Sequence, residues 1–242
     1  IGEDGRWTDV ALRGERVPFP GLPPRFFLAG KPAKITAVSE ADGGAVLYLK
    51  GDGVAGACRM QSTRDAIRSV VEMEGGSKHE MVGVELPLPA PPVSTLHLPA
   101  GRSAGYAIDA DSPKGRENGL PCNHRGRQFC AAEIGGNVLS LIGYTKAEQL
   151  PRDAFGLTWK VGGFVTDDAL WLKLAYLNGT PWELAAHPSL GGAIARYRRH
   201  LERDYGGIPW RDDPNMPDWF TDLKMVVTLD MLRSHGEVMH NY

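Results

Sequence analysis

Thirteen residues near the end of the chain, Ile208-Pro209-Trp210-Arg211-Asp212-Asp213-Pro214-Asn215-Met216-Pro217-Asp218-Trp219-Phe220, combine two indoles with several carboxylates. Tryptophan faces stack on sugar rings, and carboxylates and amides hydrogen-bond hydroxyls. Trp210, Asp212, Asp213 and Trp219 are therefore candidate carbohydrate-binding residues. The plainer account is a proline-rich linker whose tryptophans pin it to a neighbouring domain. Asp230 is a further candidate. It follows the short apolar run Lys224-Met225-Val226-Val227-Thr228-Leu229, which is consistent with a strand buried on both faces. Groups at the carboxyl ends of such strands in barrels and open α/β sheets face the ligand crevice. Ser234-His235-Gly236-Glu237 has the form of a capping box opening a helix, which places His235 near the same crevice. In the competing account Asp230 bonds loop amides and His235 is an ordinary first-turn residue.

Other chemistry-bearing residues fit their motifs less well. His235, Glu237 and His240 suggest a metal site, but a zinc-protease helix needs glutamate directly after the first histidine and the second histidine four positions after the first. Histidines five apart are rotated off a common helix face. Cys122-Asn123-His124 sets a thiol beside an imidazole, yet catalytic pairs are recognised by spatial geometry, and a turn around Asn118 to Gly126 is the simpler reading. Gly101-Arg102-Ser103-Ala104-Gly105 and Gly135-Gly136 match neither a P-loop nor a dinucleotide fingerprint and read as turns. No metal or cofactor is expected.

The bulk properties bound the partners. The chain has 242 residues and a formal net charge of −2, with a mean hydropathy of −0.26. A protein built to neutralise phosphates carries a basic excess, so nucleic acid is not an expected partner. No apolar run reaches membrane-spanning length, so no membrane is expected either. Three cysteines, Cys58, Cys122 and Cys130, do not make a disulfide framework; Cys122 and Cys130 can pair in an exported protein, but free thiols are the expectation. The sequence opens at Ile1 with no charged-then-apolar leader, so the reading is of a piece whose true N-terminus lies elsewhere.

Elements that position these residues follow from periodicity. Up to about residue 165, glycine and proline clusters separate short β-branched runs. Ile35 to Val38 and Val46 to Leu49 flank Asp42-Gly43-Gly44, which predicts a hairpin. Ile67 to Met73 and Glu80 to Leu86 flank Gly75-Gly76-Ser77 and predict a second. In it Val82, Val84 and Leu86 alternate with Gly83 and Glu85, as in a strand with one wet face. Pro87 and Pro89 should end that pairing. Thr166-Asp167-Asp168 reads as a helix start before Ala169 to Leu177, with a buried strand as the alternative. Thr180-Pro181-Trp182-Glu183 has the form of a helix N-terminus. Leu190, Ile194, Tyr197, Leu201 and Tyr205 predict one helix with a single apolar stripe, from which Arg196, Arg199, His200 and Arg203 project away.

The order of parts resembles the front of certain large glycoside hydrolases, in which an N-terminal β-sandwich and a helical linker precede a (β/α)8 catalytic barrel. The residues carrying the resemblance are the helix from Leu190 to Tyr205, the loop from Trp210 to Phe220, and Lys224 to Asp230 as a first barrel strand. It implies a mainly β fold, an antiparallel β-sandwich followed by a helical linker and the start of a βα unit that belongs to a truncated (β/α)8 barrel. The divisions are 1–165 for the sandwich, 166–218 for the linker and loop, and 219–242 for the βα start. The implied function is that of the N-terminal part of a carbohydrate-active enzyme acting on oligo- or polysaccharide. Its paired catalytic carboxylates would lie in a C-terminal domain absent from this chain, so the isolated chain is expected to be inactive. A non-catalytic carbohydrate- or partner-binding module is the alternative.

Overall fold

The computed structural model describes residues 2, 4–7, 10–12, 14–17, 20–89, 93–98, 106–108, 120–125, 129–134, 136–144, 160–165, 169–208, 212–215 and 217. The chain divides into two compact units, Ile1–Tyr205 and Gly206–Tyr242. In the first, β1 (Val10–Leu12) and β2 (Glu15–Val17) form a small hairpin. They are followed by β3 (Arg25–Leu28), β4 (Lys31–Ala41), β5 (Gly44–Gly51), β6 (Ala55–Ser62), β7 (Ala66–Met73) and β8 (Met81–Pro89). Next come β9 (Val93–Leu98), β10 (Tyr106–Ile108), β11 (Leu120–Arg125), β12 (Phe129–Ile134) and β13 (Asn137–Gly143). Last are β14 (Lys160–Val165), β15 (Ala169–Leu177), β16 (Pro181–His187) and the helix α1 (Leu190–Tyr205). No helix among the described residues is long and apolar enough to cross a membrane.

Strands β3 to β16 make one antiparallel sheet in the order β10-β9-β12-β13-β16-β7-β6-β5-β4-β3-β8-β15-β14-β11. This sheet cannot be flat. β15 and β16 lie seven strand positions apart in that order, about 34 Å at the usual spacing of ~4.8 Å. Yet only Asn178, Gly179 and Thr180 connect them, and four Cα steps of ~3.8 Å reach about 15 Å at most. The sheet therefore curls until β16 and β15 face each other as two layers. The apolar faces meet between them: Leu47, Cys58, Val71, Trp182 and Leu184 pack in one cluster with Val84, Leu86, Leu172, Leu174 and Tyr176.

Hydrogen bonds hold the crossing in place. Asn178 N donates to Glu80 O and Gly179 N to Val71 O, both at 2.9 Å. The Asn178 side chain accepts from Met73 N at 2.9 Å and donates to Ser77 O at 3.2 Å. Gly179 has φ of +74°, a backbone state that glycine adopts without the Cβ penalty.

The first expected hairpin is present. β4 and β5 pair with Ile35 opposite Leu49 and Val38 opposite Leu47, and Gly43 turns at φ +68°. The second is corrected. β7 and β8 are strands, but β7 pairs with β6 and β16 while β8 pairs with β3 and β15, so residues 74–80 cross between layers. Nor does β8 have a wet face: Val82 to Leu88 are all buried, Glu85 included. Its prolines do not stop pairing either. Pro87 and Pro89 lie opposite Trp171 and Ala169, and β3 reaches only Val82 to Glu85. The prolines thus occupy positions flanked on one side by β15 and, on the other, by no strand among the described residues, where a missing N–H costs no ladder bond.

The β structure also runs past residue 165. Ala169 to Leu177 takes the buried-strand alternative, and the helix start expected at Thr180-Pro181-Trp182-Glu183 is instead the opening of β16. Period-two burial decides this: Trp182, Leu184 and Ala186 enter the core while Glu183, Ala185 and His187 face the other way. The expected turn around Asn118 to Gly126 contains strand β11. α1 has the expected bounds, but its buried face differs. Ile194 is 49% exposed, and the side chains turned to the sheet include Ala193, Arg196 and His200. The run from Lys224 to Leu229, read as a barrel strand, lies outside the described residues.

Asn178 ties both layers, so Asn178→Ala should destabilise the fold by about 1–3 kcal/mol, the usual result of stranding a buried backbone donor. Urea unfolding followed by tryptophan fluorescence measures it; a change within about 0.5 kcal/mol would show that the crossing holds without this side chain.

Candidate functional site

Among the described residues, a dense grouping of ionisable side chains lies on the outer face of β13, β16 and β7, beneath α1. Strand alternation builds it. With Trp182 and Leu184 committed to the core, Glu183 must point outward, where its register partners are Ile142 on β13 and Arg68 on β7. α1 then covers it. Ala193 packs on Ala131 and Val138, and Tyr197 stacks on Phe129 with ring centroids 5.3 Å apart.

Helical spacing places Arg196 and His200 one turn apart on the covered side. The Glu183 side chain is 1% exposed. Its Oε1 accepts from Arg196 Nε at 2.6 Å and from the Tyr144 hydroxyl at 2.7 Å. Its Oε2 accepts from Arg196 Nη2 at 2.8 Å and from Arg68 Nε at 3.1 Å. Four donors match the roughly four lone-pair positions of a carboxylate. Arg196 Nη1 also donates to Asp65 Oδ2 at 2.8 Å, which ties α1 to the loop between β6 and β7.

A second group of contacts extends the network. The His200 ring meets Tyr144 edge-on at 4.7 Å, and its Nδ1 lies 2.7 Å from Asp204 Oδ2. Arg203 donates to both oxygens of Asp204. Nearer the start of α1, Ser140 Oγ and His187 Nε2 form a buried pair at 2.7 Å. At β9 and β12, His97 Nε2 and Glu133 Oε1 form another pair, also at 2.7 Å.

Protonation states follow from these contacts. Burial pushes the Glu183 carboxyl up, but hydrogen bonds from Arg196 and Tyr144, with the Arg196 charge and Arg68, outweigh it and hold the group below the usual carboxylate range. Burial, the Glu183 charge and the bond to it push Tyr144 up to about 12. Burial lowers His200 despite Asp204, and Arg203 leads the groups that lower Asp204. Near neutral pH the centre is thus an ionised carboxylate held by two guanidiniums and a protonated phenol. Such an arrangement binds and orients. It does not relay protons, because each lone-pair position of Glu183 is occupied and Tyr144 does not ionise.

The residues expected to bind carbohydrate are elsewhere in the chain. Asp212 is exposed, and Asp213 is half-buried with Oδ1 accepting from Asn215 N at 2.9 Å. Trp210, Trp219, Asp230 and His235 lie outside the described residues. No group of three or more His, Cys, Asp or Glu side chains among the described residues is placed to hold a metal ion. Sequence reasoning missed Glu183 and Arg196 as partners. The one available signal was the alternation of Trp182, Leu184 and Ala186 with Glu183, Ala185 and His187, which a capping-box reading hid.

No family model matches the chain. No curated protein matches it either. Among solved structures, one described as a "putative aldose 1-epimerase" from Escherichia coli K12 aligns over 67% of this chain and 78% of its own, with 11% identity and a TM-score of 0.36.

Glu183→Ala leaves Arg196, 21% exposed, with Asp65 as its remaining carboxylate partner and frees the more exposed Arg68, and should destabilise the fold by about 3 kcal/mol, the lower end for breaking a buried pair. The pH dependence has a definite sign. A carboxyl lowered in the folded state stabilises fully above its unfolded value of about 4.3, and that contribution is lost as pH falls through the lower folded value. His200, also lowered, adds a loss that begins as pH falls below about 6.5. Chemical unfolding from pH 8 to pH 3 should therefore show stability declining toward acid, with a shallower carboxylate limb in Glu183→Gln. An identical acid limb in that variant would contradict the assignment.

Proposed function

We propose that this chain is the N-terminal part of a carbohydrate-active enzyme, a glycoside hydrolase acting on oligo- or polysaccharide, in which residues 1–205 support the active centre and do not perform the chemistry. The observation carrying this reading is the saturation of Glu183. The Glu183 carboxylate accepts four bonds, two from Arg196 that fix α1 to the sheet and two from Arg68 and Tyr144, which is the behaviour of a strut. Strand β16 and α1 then deliver the chain to a stretch where Asp212 is open to solvent and which carries Trp210, Asp213 and Trp219. Indole faces and carboxylates of that kind suit a sugar ring and its hydroxyls.

In this reading residues 219–242 begin a (β/α)8 barrel. Asp230 stands at its mouth and holds a sugar hydroxyl, with His235 beside it, and the catalytic carboxylate pair comes from a part of the protein outside this chain. The saturation of Glu183 supports a second reading equally well: a non-catalytic module that binds carbohydrate or a protein partner.

Two experiments test the proposal. Calorimetric titration of the full chain with neutral oligosaccharides such as maltohexaose, cellohexaose and xylohexaose should give saturable binding to at least one, without hydrolysis. Trp210→Ala and Trp219→Ala should each weaken it at least tenfold, or about 1.4 kcal/mol. Absence of binding across the panel would remove the carbohydrate reading. In a longer form of the protein that carries the catalytic part, Asp230→Ala should lower kcat/KM by roughly ten- to a hundredfold, the loss of one charge-assisted hydrogen bond. Unchanged kinetics would take Asp230 out of the site.

A further inference from the structure

The outer face of β4, β5 and β6 carries two neighbouring oddities. Tyr48 on β5 is 45% exposed, while Leu47 and Leu49 on either side of it are buried in the core. Strand alternation therefore turns the tyrosine outward. Its register partners are alanines, Ala37 on β4 and Ala57 on β6, so only methyl groups border it across the strands. Two residues along β5, on the same face, stands Lys50, and directly opposite it on β4 is Lys34. Ala33 and Ile35 pack against the core, which turns Lys34 outward as well. Both lysines are exposed, and neither has an ion-pair partner among the described residues. Carboxylates near them in the sheet are engaged elsewhere: Asp52 pairs with Lys31, and Glu72, which lies opposite Ala57, pairs with Arg59.

Neither feature serves the stability of the fold. A large aromatic side chain left in water contributes little to folding, and like charges directly opposed on neighbouring strands destabilise a sheet. Local rules broken at adjacent positions on one face mark a surface shaped by function. The Cβ atoms of the lysine pair stand about 4.5–5.5 Å apart, and Tyr48 lies about 6.8 Å along the strand from Lys50. The pairing narrows the occupant. β5 is hydrogen-bonded on both edges, to β4 and β6, so an added peptide strand has no free backbone to join. Single-stranded nucleic acid needs a positive groove that tracks many phosphates, whereas two ammoniums stand here in a chain of net charge −2. An acidic sugar asks for less: one ring to stack on and one cationic partner for a carboxylate.

We propose that the outer face of β4 and β5 binds a uronate-bearing oligosaccharide, with one sugar ring on Tyr48 and the carboxylate of the next ring between Lys34 and Lys50. The small side chains of Ala37 and Ala57 leave the sugar room beside the tyrosine. Ammoniums act as point charges on flexible stems, so they accept the carboxylate without demanding one orientation. The anion also relieves the repulsion between the lysines, so the pair weakens the free chain and strengthens the complex. The face is separate from the loop that carries Trp210 and Trp219 and does not depend on that loop binding sugar.

Calorimetric titration of the full chain with tetragalacturonate and tetramannuronate decides the matter. At least one should bind saturably at low salt, and its uncharged methyl ester should bind at least roughly tenfold more weakly. Raising NaCl from about 0.05 M to about 0.5 M should weaken the acid, as screening of exposed charges requires. Tyr48→Ala should weaken it roughly tenfold, and Lys34→Gln and Lys50→Gln roughly two- to fivefold each. Lys50→Glu should abolish binding yet raise the urea midpoint, because it turns a repulsive cross-strand pair into an attractive one. Absence of saturable binding, equal binding of the ester, or indifference to Tyr48→Ala would overturn the proposal. Equal or tighter binding of oligothymidylate or oligoglutamate of the same charge would overturn it too, since the face would then take polyanions at large. Neutral oligosaccharides report on the other site: a chain that binds a uronate and no neutral sugar keeps this face and loses the loop, and the converse result does the reverse.

Discussion

A carboxylate taken out of water must be neutralised or matched, and Glu183 is matched. With its side chain 1% exposed, its charge is tolerated because Arg196, Arg68 and Tyr144 present donors at every lone-pair position. This requirement reaches outward in both directions. Arg196 can meet Glu183 only if α1 lies across β13 and β16, and Arg68 can meet it only if β7 is the next strand in that register. The same carboxylate therefore reports on the docking of the helix and on the alignment of three strands. Replacing the arrangement with apolar side chains could preserve stability, since buried ion pairs often roughly offset their own desolvation; what the charges add is a penalty on every misaligned alternative.

The other governing constraint is the short connection between β15 and β16. Three residues cannot bridge a flat sheet of this strand order, so closure of the two layers is enforced by chain length as well as by burial of their apolar faces. The turn from β7 to β8 crosses at the same end and is bonded to it through Asn178. With the layers closed, β16 has a core face carrying Trp182 and an outer face carrying Glu183. Trp182 and Glu183 are thus successive residues on opposite sides of one strand.

Much of the local structure was legible from residue patterns. The β4–β5 hairpin announces itself through alternation around Asp42-Gly43, and α1 through its apolar spacing and following glycines. Errors arose where one short pattern serves two structures. Thr180-Pro181-Trp182-Glu183 satisfies the rules for a helix start, but the two buried faces of the sheet needed a strand there, and tertiary packing overrides a local cap. Ile67 to Met73 and Glu80 to Leu86 have hairpin spacing, yet each found a better partner far along the chain: β16 lies about a hundred residues from β7. The helix face was misjudged for a related reason. Apolar spacing pointed to Ile194, whereas the sheet beneath offers a carboxylate and small side chains, so Arg196 and Ala193 turn inward instead. Pairs such as Arg68 with Glu183 depend on strand order, which no local motif encodes.

The claim on which the account rests is that Glu183 and Arg196 act together to fix α1. A double-mutant cycle with Glu183→Gln and Arg196→Met, read by urea unfolding at neutral pH, isolates their mutual contribution from the separate costs of each change. The account predicts a coupling energy of about 2–3 kcal/mol, at the upper end for contacting residues. Additivity within about 0.5 kcal/mol would mean that the helix is held by its apolar contacts alone and would contradict it.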